Sequence, residues 1–234
     1  RVLLIIFGHY ITPLPDSTAD ARTFHFTAVY MSNEGFSYVI SRFEGPSPLF
    51  ISWVLAIPYS LFGKSILMAQ TISLLFGIGS IILGWKIACE IWNDKVGRKV
   101  AWTIALFPSL ALYSVLVLRE TYMVFFLLLS LYGITLWVKD NNLKSISLAI
   151  AGFTGATFFH GAMIVGGIIF ATIVGIKSCI RFFKSLKNLY VDYKSLILII
   201  LYVSFIGLYL TNKIRVPYLG TFEQSTNINN LQNR

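Results

Sequence analysis

Apolar residues along this chain come in long unbroken runs, and that pattern decides the fold class. Stretches of about twenty apolar residues, the length a helix needs to cross a hydrocarbon core of roughly 30 Å, lie near 65–85, 100–118, 122–138 and 195–211. None of the four contains a charged residue. The stretch 146–176 is long enough for two short helices with a break at 159–161, where His160 interrupts the pattern. The first run, 2–11, is too short to span by itself, so it reads as part of a helix whose start precedes it. The apolar segment 48–63 is short and carries Pro48 and Pro58, which suits an interfacial or half-inserted helix better than a crossing. The expected fold is therefore all-α: a polytopic transmembrane helical bundle with a juxtamembrane helix in its first outer loop.

Composition agrees, since 56% of the 234 residues are hydrophobic and only 12% are charged, whereas soluble domains carry about a quarter charged residues. The net charge of +9 does not indicate a nucleic-acid partner, because the basic residues sit between apolar runs, where they report orientation. Lys86, Lys95, Arg98 and Lys99 follow one run, Lys139 and Lys144 another, and Lys177, Arg181, Lys184, Lys187 and Lys194 a third. All three clusters fall on one side if 48–63 does not cross, and short cytoplasmic loops are the ones enriched in Lys and Arg. The loop 12–47, the turn at Arg119 and Glu120, the tip at His160 and the tail from Asn212 then share the outer, non-cytoplasmic side, as expected for a multi-pass protein of a bacterial inner membrane. Residues 1–212 read as one membrane domain and 213–234 as the start of an outer-face segment. Cys89 and Cys179 have no metal-ligand spacing and read as free thiols.

Polar residues of chemical interest gather on the outer side. Asp20, Phe24 and Ala28 recur every four residues and share one face of a helix whose first turn holds Asp20. Asp20 there either caps the helix, a role Asp favours, or acts as a general base at the water–membrane boundary. Arg119 and Glu120 interrupt two apolar runs and form either a solvated turn or a charge pair facing the same cleft as Asp20. His160 is either a packing histidine or an intramembrane functional group. Arg22, Arg42, Lys213 and Arg215 are outer-face cations able to meet lipid phosphate or a phosphate leaving group.

These residues together resemble the GT-C superfamily of polyprenyl-phosphate-sugar-dependent glycosyltransferases, in particular the branch similar to protein O-mannosyltransferases and lipid A aminoarabinose transferases. The resemblance rests on Asp20, Phe24 and Ala28 after a first helix, on 45–49 leading into a helix that ends in Phe62-Gly63, on the basic turn 92–99, on Phe107-Pro108-Ser109 and on an acidic position at Glu120. The chain departs from the pattern in having Ala21 beside Asp20, Gly45 ahead of its proline pair, and His160 where relatives often carry Arg. The resemblance implies a membrane glycosyltransferase that moves a hexosyl or pentosyl group from a polyprenyl-phosphate donor to a hydroxyl of a glycan, lipid or protein acceptor. It implies Asp20 as the base, Asp16 and Glu120 as possible second acids orienting the acceptor or binding a divalent metal, and Arg119, His160, Arg22 and Arg42 as substrate-binding groups. The sequence holds no dedicated metal-ligand motif, so no metal or other cofactor is assigned. Readings from other classes are a lipid-linked-sugar transporter or flippase, an O-antigen-type polymerase or ligase, and a membrane scaffold; the absence of charge inside the clear spans weighs against a coupled transporter.

Overall fold

The computed structural model describes residues 1–187 and 192–211, and among them it contains eleven helices and no strand. In chain order these are α1 (Val2–Tyr10), α2 (Asp20–Asn33), α3 (Phe36–Ser41), α4 (Phe50–Phe62), α5 (Ile66–Ile91), α6 (Asp94–Leu106), α7 (Pro108–Tyr113), α8 (Arg119–Asp140), α9 (Leu143–Phe159), α10 (Met163–Lys187) and α11 (Tyr193–Leu210). The all-α, polytopic fold expected from the apolar runs is the one observed. Helices α5, α8 and the 163–185 part of α10 are each long and apolar enough to cross a membrane. The chain divides at His160 into two compact units. In the second, α10 packs on α11, with the Tyr202 hydroxyl donating to Thr172 Oγ1 at 3.2 Å. Lys213, Arg215 and the rest of 213–234 lie outside the described residues.

Short polar side chains set the turns of the first unit. Ser65 caps α5 by accepting from the Met68 N–H, Asn93 caps α6 from Val96, and Asn142 caps α9 from Lys144. Asn141 ends α8 in the left-handed region, at φ 51°, which Asn tolerates better than most residues. The stretch 100–118, expected as one span, is broken instead. Pro108 has no N–H to donate and forces Phe107 into an extended conformation, ψ 118°, so α6 stops and α7 starts; hydropathy is blind to both effects. The two pieces nevertheless continue along the same neighbour. Gly97 lies against Cys89, Gly84 against Ile104 and Gly77 against Ser114, so the segment climbs antiparallel to α5 over roughly 18 Å of its length.

Several boundaries differ from those read in the sequence; α5 runs past Lys86 to Ile91 and α10 past Lys177, Arg181 and Lys184 to Lys187, where connecting stretches were expected. Arg119 and Glu120, expected in a turn, form the first turn of α8, because Leu118 supplies the extended residue before it and an acidic side chain suits a helix N-terminus. The turn is 114–118, and all five of its residues are buried. At the other end Lys95, Arg98 and Lys99 belong to α6 rather than to a loop, since Asn93 and Asp94 start that helix early.

Helix α4 has 13 residues, about 20 Å, too short for a hydrocarbon core of roughly 30 Å. It runs through Pro58 and ends at Gly63, whose φ of 92° suits glycine. Ile51, Leu55, Ala56 and Tyr59 form its buried face, against α2 on one side and the end of α9 on another. A run of ring contacts ties α4 to the bundle: Phe50 meets Phe159 at 5.0 Å, Phe159 stacks on Tyr122 at 5.0 Å, and Tyr122 meets Phe76 at 4.5 Å.

Candidate functional site

The site is built where the first loop folds back on α4. Residues 15–19 form turns, with Asp16 exposed at φ 60°, and α2 follows. Its buried face is Ala21, Phe24, Ala28 and Ser32, which includes Phe24 and Ala28 of the face expected from the four-residue spacing but not Asp20. Asp20 is exposed as the first helical residue, and Ala19 occupies the cap position without any side-chain capping bond. The capping role weighed for Asp20 is therefore absent: its carboxylate is one residue too far along to accept from the first-turn amides in that geometry. Among the described residues Asp20 joins no ion pair.

One polar contact between α2 and α4 was not anticipated. His25 Nδ1 and the Tyr59 hydroxyl are hydrogen-bonded at 2.8 Å, with the rings edge to face at 5.6 Å. Burial lowers the His25 pKa below its ordinary 6.5. Burial first, and the neighbouring Tyr122 hydroxyl second, push the Tyr59 phenol well above its ordinary value, so the pair is neutral near pH 7. Because the folded state binds the His25 proton less readily than the unfolded chain, its stabilising contribution is complete above about pH 6.5 and is lost as pH falls through the lowered folded value. Amide exchange in α2, corrected for intrinsic rates, is thus expected to accelerate between about pH 7.5 and about pH 5.5. The His25→Phe variant is expected to lose that dependence; the same acceleration in the variant would show that another group controls the docking of α2.

Arg119 and Glu120 form an ion pair at 3.4 Å, with their side chains 31% and 40% exposed. Their positions flank buried Leu118 and Tyr122, which belong to the same contiguous core as Ala21 and Phe24 of α2 and Ile51 to Tyr59 of α4. Glu120 also lines a small cavity with Ser80, Tyr113, Ser114 and Thr121, and Thr121 Oγ1 donates to the Tyr113 carbonyl at 2.8 Å. His160 is exposed at the end of α9, where its extended backbone closes the helix; it is not the enclosed histidine that its apolar surroundings suggested, because the helix stops before it. Arg22 is exposed. Arg42 is exposed after α3 and donates through Nε to the Tyr38 hydroxyl at 3.0 Å, with its guanidinium over the Tyr38 ring. Thus Arg119 and Glu120 meet directly, whereas no ion pair among the described residues joins Asp16, Asp20, Arg22, Arg42 or His160 to one another. No group of three or more His, Cys, Asp or Glu able to hold a metal ion occurs among the described residues.

A family comparison decides what this arrangement belongs to. Residues 46–209, well over half of the chain, match the family described as dolichyl-phosphate-mannose-protein mannosyltransferase. The chain belongs to that family. It is accordingly a membrane glycosyltransferase of the GT-C type, and the resemblance drawn from its motifs is the right one. The matched range contains Arg119, Glu120 and His160, and it begins after Asp16, Asp20, Arg22 and Arg42. No curated protein and no solved structure matches the chain.

Proposed function

We propose that this mannosyltransferase-family protein moves a sugar from a polyprenyl-phosphate donor to an acceptor hydroxyl on the non-cytoplasmic face of the membrane, with Asp20 as the base. The observation that carries the proposal is the position of Asp20. It heads a helix anchored by Phe24 and Ala28 on interfacial α4, and its exposed carboxylate is committed to no cap. In the reaction the carboxylate takes the acceptor's proton as the acceptor oxygen bonds to the anomeric carbon. The bond from that carbon to the phosphate oxygen breaks, and polyprenyl phosphate leaves with the electron pair. Arg119, on the rim of the same buried core, is suited to the charge that develops on the phosphate, and Glu120 orients its guanidinium through their ion pair. Arg22 and Arg42 are exposed cations of the same loop available to phosphate. Asp16, one turn before α2, is the second candidate acid.

The choice of face is supported by the basic residues, which gather about the α5–α6 and α8–α9 turns of the first unit. With single cysteines placed in intact cells, an impermeant thiol reagent is expected to label positions in 14–47 and to spare those in 86–99 and 139–145. The reverse pattern would put Asp20 in the cytoplasm and end this reading. The activity itself is tested by transfer of labelled sugar from a polyprenyl-phosphate donor by the reconstituted protein.

A further inference from the structure

The α5–α6 end of the first unit carries a feature to which the proposed sugar transfer gives no role. Helix α6 presses its Gly97 and Ile104 positions onto α5, where Gly97 meets Cys89 and Trp85 and Ile104 meets Gly84. That contact leaves a second face of α6 without a neighbour in its unit. Lys95, Arg98, Lys99 and Trp102 fall on it at spacings of three and four residues, and together they line an open depression. A second depression shares Arg98 and Trp102 and continues between the helices past Trp85, Ala101 and Ala105. The two alanines leave an apolar trough between the indoles, and the cations stand at its head. Trp102 is 67% exposed and Trp85 is 37% exposed, so neither ring is spent on the protein core. Of the three cations, Arg98 alone has an acidic partner among the described residues, Asp94 at 3.4 Å, and both of those side chains are largely exposed.

We infer that this trough is a binding site for an anionic phospholipid of the adjoining leaflet, with the phosphate headgroup held by Lys95, Arg98 and Lys99 and one acyl chain lying between Trp85 and Trp102 over Ala101 and Ala105. Charge complementarity selects the occupant. Three cations within about one helical turn attract a headgroup of net negative charge, a zwitterionic lipid gains little from them, and a free anion has no use for the apolar trough. The tryptophans mark the depth at which headgroup gives way to acyl chain. The headgroup cations are set apart from the turn that precedes Arg119, since Gly97 meets Cys89 of α5 whereas Ser114 meets Gly77, about 18 Å along that helix.

The experiment uses the full chain in bilayers containing spin-labelled phosphatidylglycerol or spin-labelled phosphatidylcholine, and reads the motionally restricted fraction of each. Wild type is expected to restrict phosphatidylglycerol preferentially, at roughly five-fold stronger association per cation engaged. K95Q/R98Q/K99Q is expected to lose that preference by ten-fold or more. Ala101→Trp, which fills the trough and keeps every charge, is expected to lose it as well. Lys95, Arg98 and Lys99 are exposed and Ala101 is half-buried beside α5, and unchanged helicity and monodispersity establish that each variant is folded; Trp102→Ala serves in place of any that is not. Retention of the preference in Ala101→Trp would mean diffuse surface attraction without a groove and would overturn the proposal. So would an unchanged preference in the triple variant, or displacement of the lipid by inorganic phosphate at millimolar concentration.

Discussion

Replacing Asp20 by Asn is expected to slow sugar transfer by about a hundred- to ten-thousand-fold, the usual contribution of a positioned general base and equivalent to roughly 3–5 kcal/mol of barrier. The amide keeps the size of the carboxylate and loses the ability to take the acceptor's proton as the new glycosidic bond forms. The fold is expected to hold. Asp20 is exposed and caps nothing, so the substitution removes only a favourable charge at a helix N-terminus, under about 1 kcal/mol. Asp16→Asn and Glu120→Gln, assayed beside it, separate the roles. Asp16 stands in a turn outside any helix, and its loss is expected to cost less than that of Asp20. Glu120 is bonded to Arg119, so its loss is expected to weaken donor binding before it slows chemistry. Normal turnover in Asp20→Asn with collapse in either of the others would transfer the base role to that residue.

The second large effect is on stability, at the crossing of α8 and α9. Hydrophobic burial does little to hold two helices together in lipid; close backbone approach does more, and small residues permit it. Here Gly133 of α8 faces the backbone of α9, where a side-chain carbon would stand 2.5 Å from Ala149 N and 2.9 Å from the Ser145 carbonyl. Gly152 of α9 faces α8 in the same way, 2.7 Å from Ser130 Cα and 2.8 Å from the Phe126 carbonyl. Backbone cannot swing aside as a side chain can. Gly152→Leu is therefore expected to push the helices apart and destabilise the first unit by about 1–3 kcal/mol or more, read as a lowered unfolding midpoint in detergent. Gly155 provides the contrast, because what a methyl would meet there is the Phe126 ring, which can turn. Gly155→Ala is expected to cost clearly less. Equal stability of Gly152→Leu and wild type would show that the crossing is not set by these contacts.

Spans were legible in the sequence because length and apolarity alone specify a membrane helix. That is why α5 and α8 sit where the apolar runs are, and why the break after Phe159 follows the interruption at His160. The break at Pro108 was hidden, since it arises from a missing N–H and a steric restriction on Phe107, neither of which changes hydropathy. Helix starts were misjudged for a related reason. Charged Arg119 and Asp94 read as loop residues, yet each lies in the first helical turn after an extended cap residue. Within the site, the Phe24–Ala28 face was legible from its spacing, and Arg119 and Glu120 were adjacent from the start. The bond between His25 and Tyr59 was not, because 34 residues separate them and only the folding of the loop onto α4 brings them together. The exposure of Asp20 and its freedom from a capping bond likewise depended on where α2 begins, a matter of one residue that composition does not fix.

The most direct measurement of the central claim is the fate of a polyprenyl-phosphate sugar labelled in both sugar and phosphate, presented with an acceptor to the reconstituted full-length protein. The expected result is release of polyprenyl phosphate in equal amount to the glycoside formed, abolished in Asp20→Asn to within the residual rate given above. Movement of the intact donor across the bilayer without cleavage would make the protein a carrier of lipid-linked sugar, and would contradict both the transfer and the role given to Asp20.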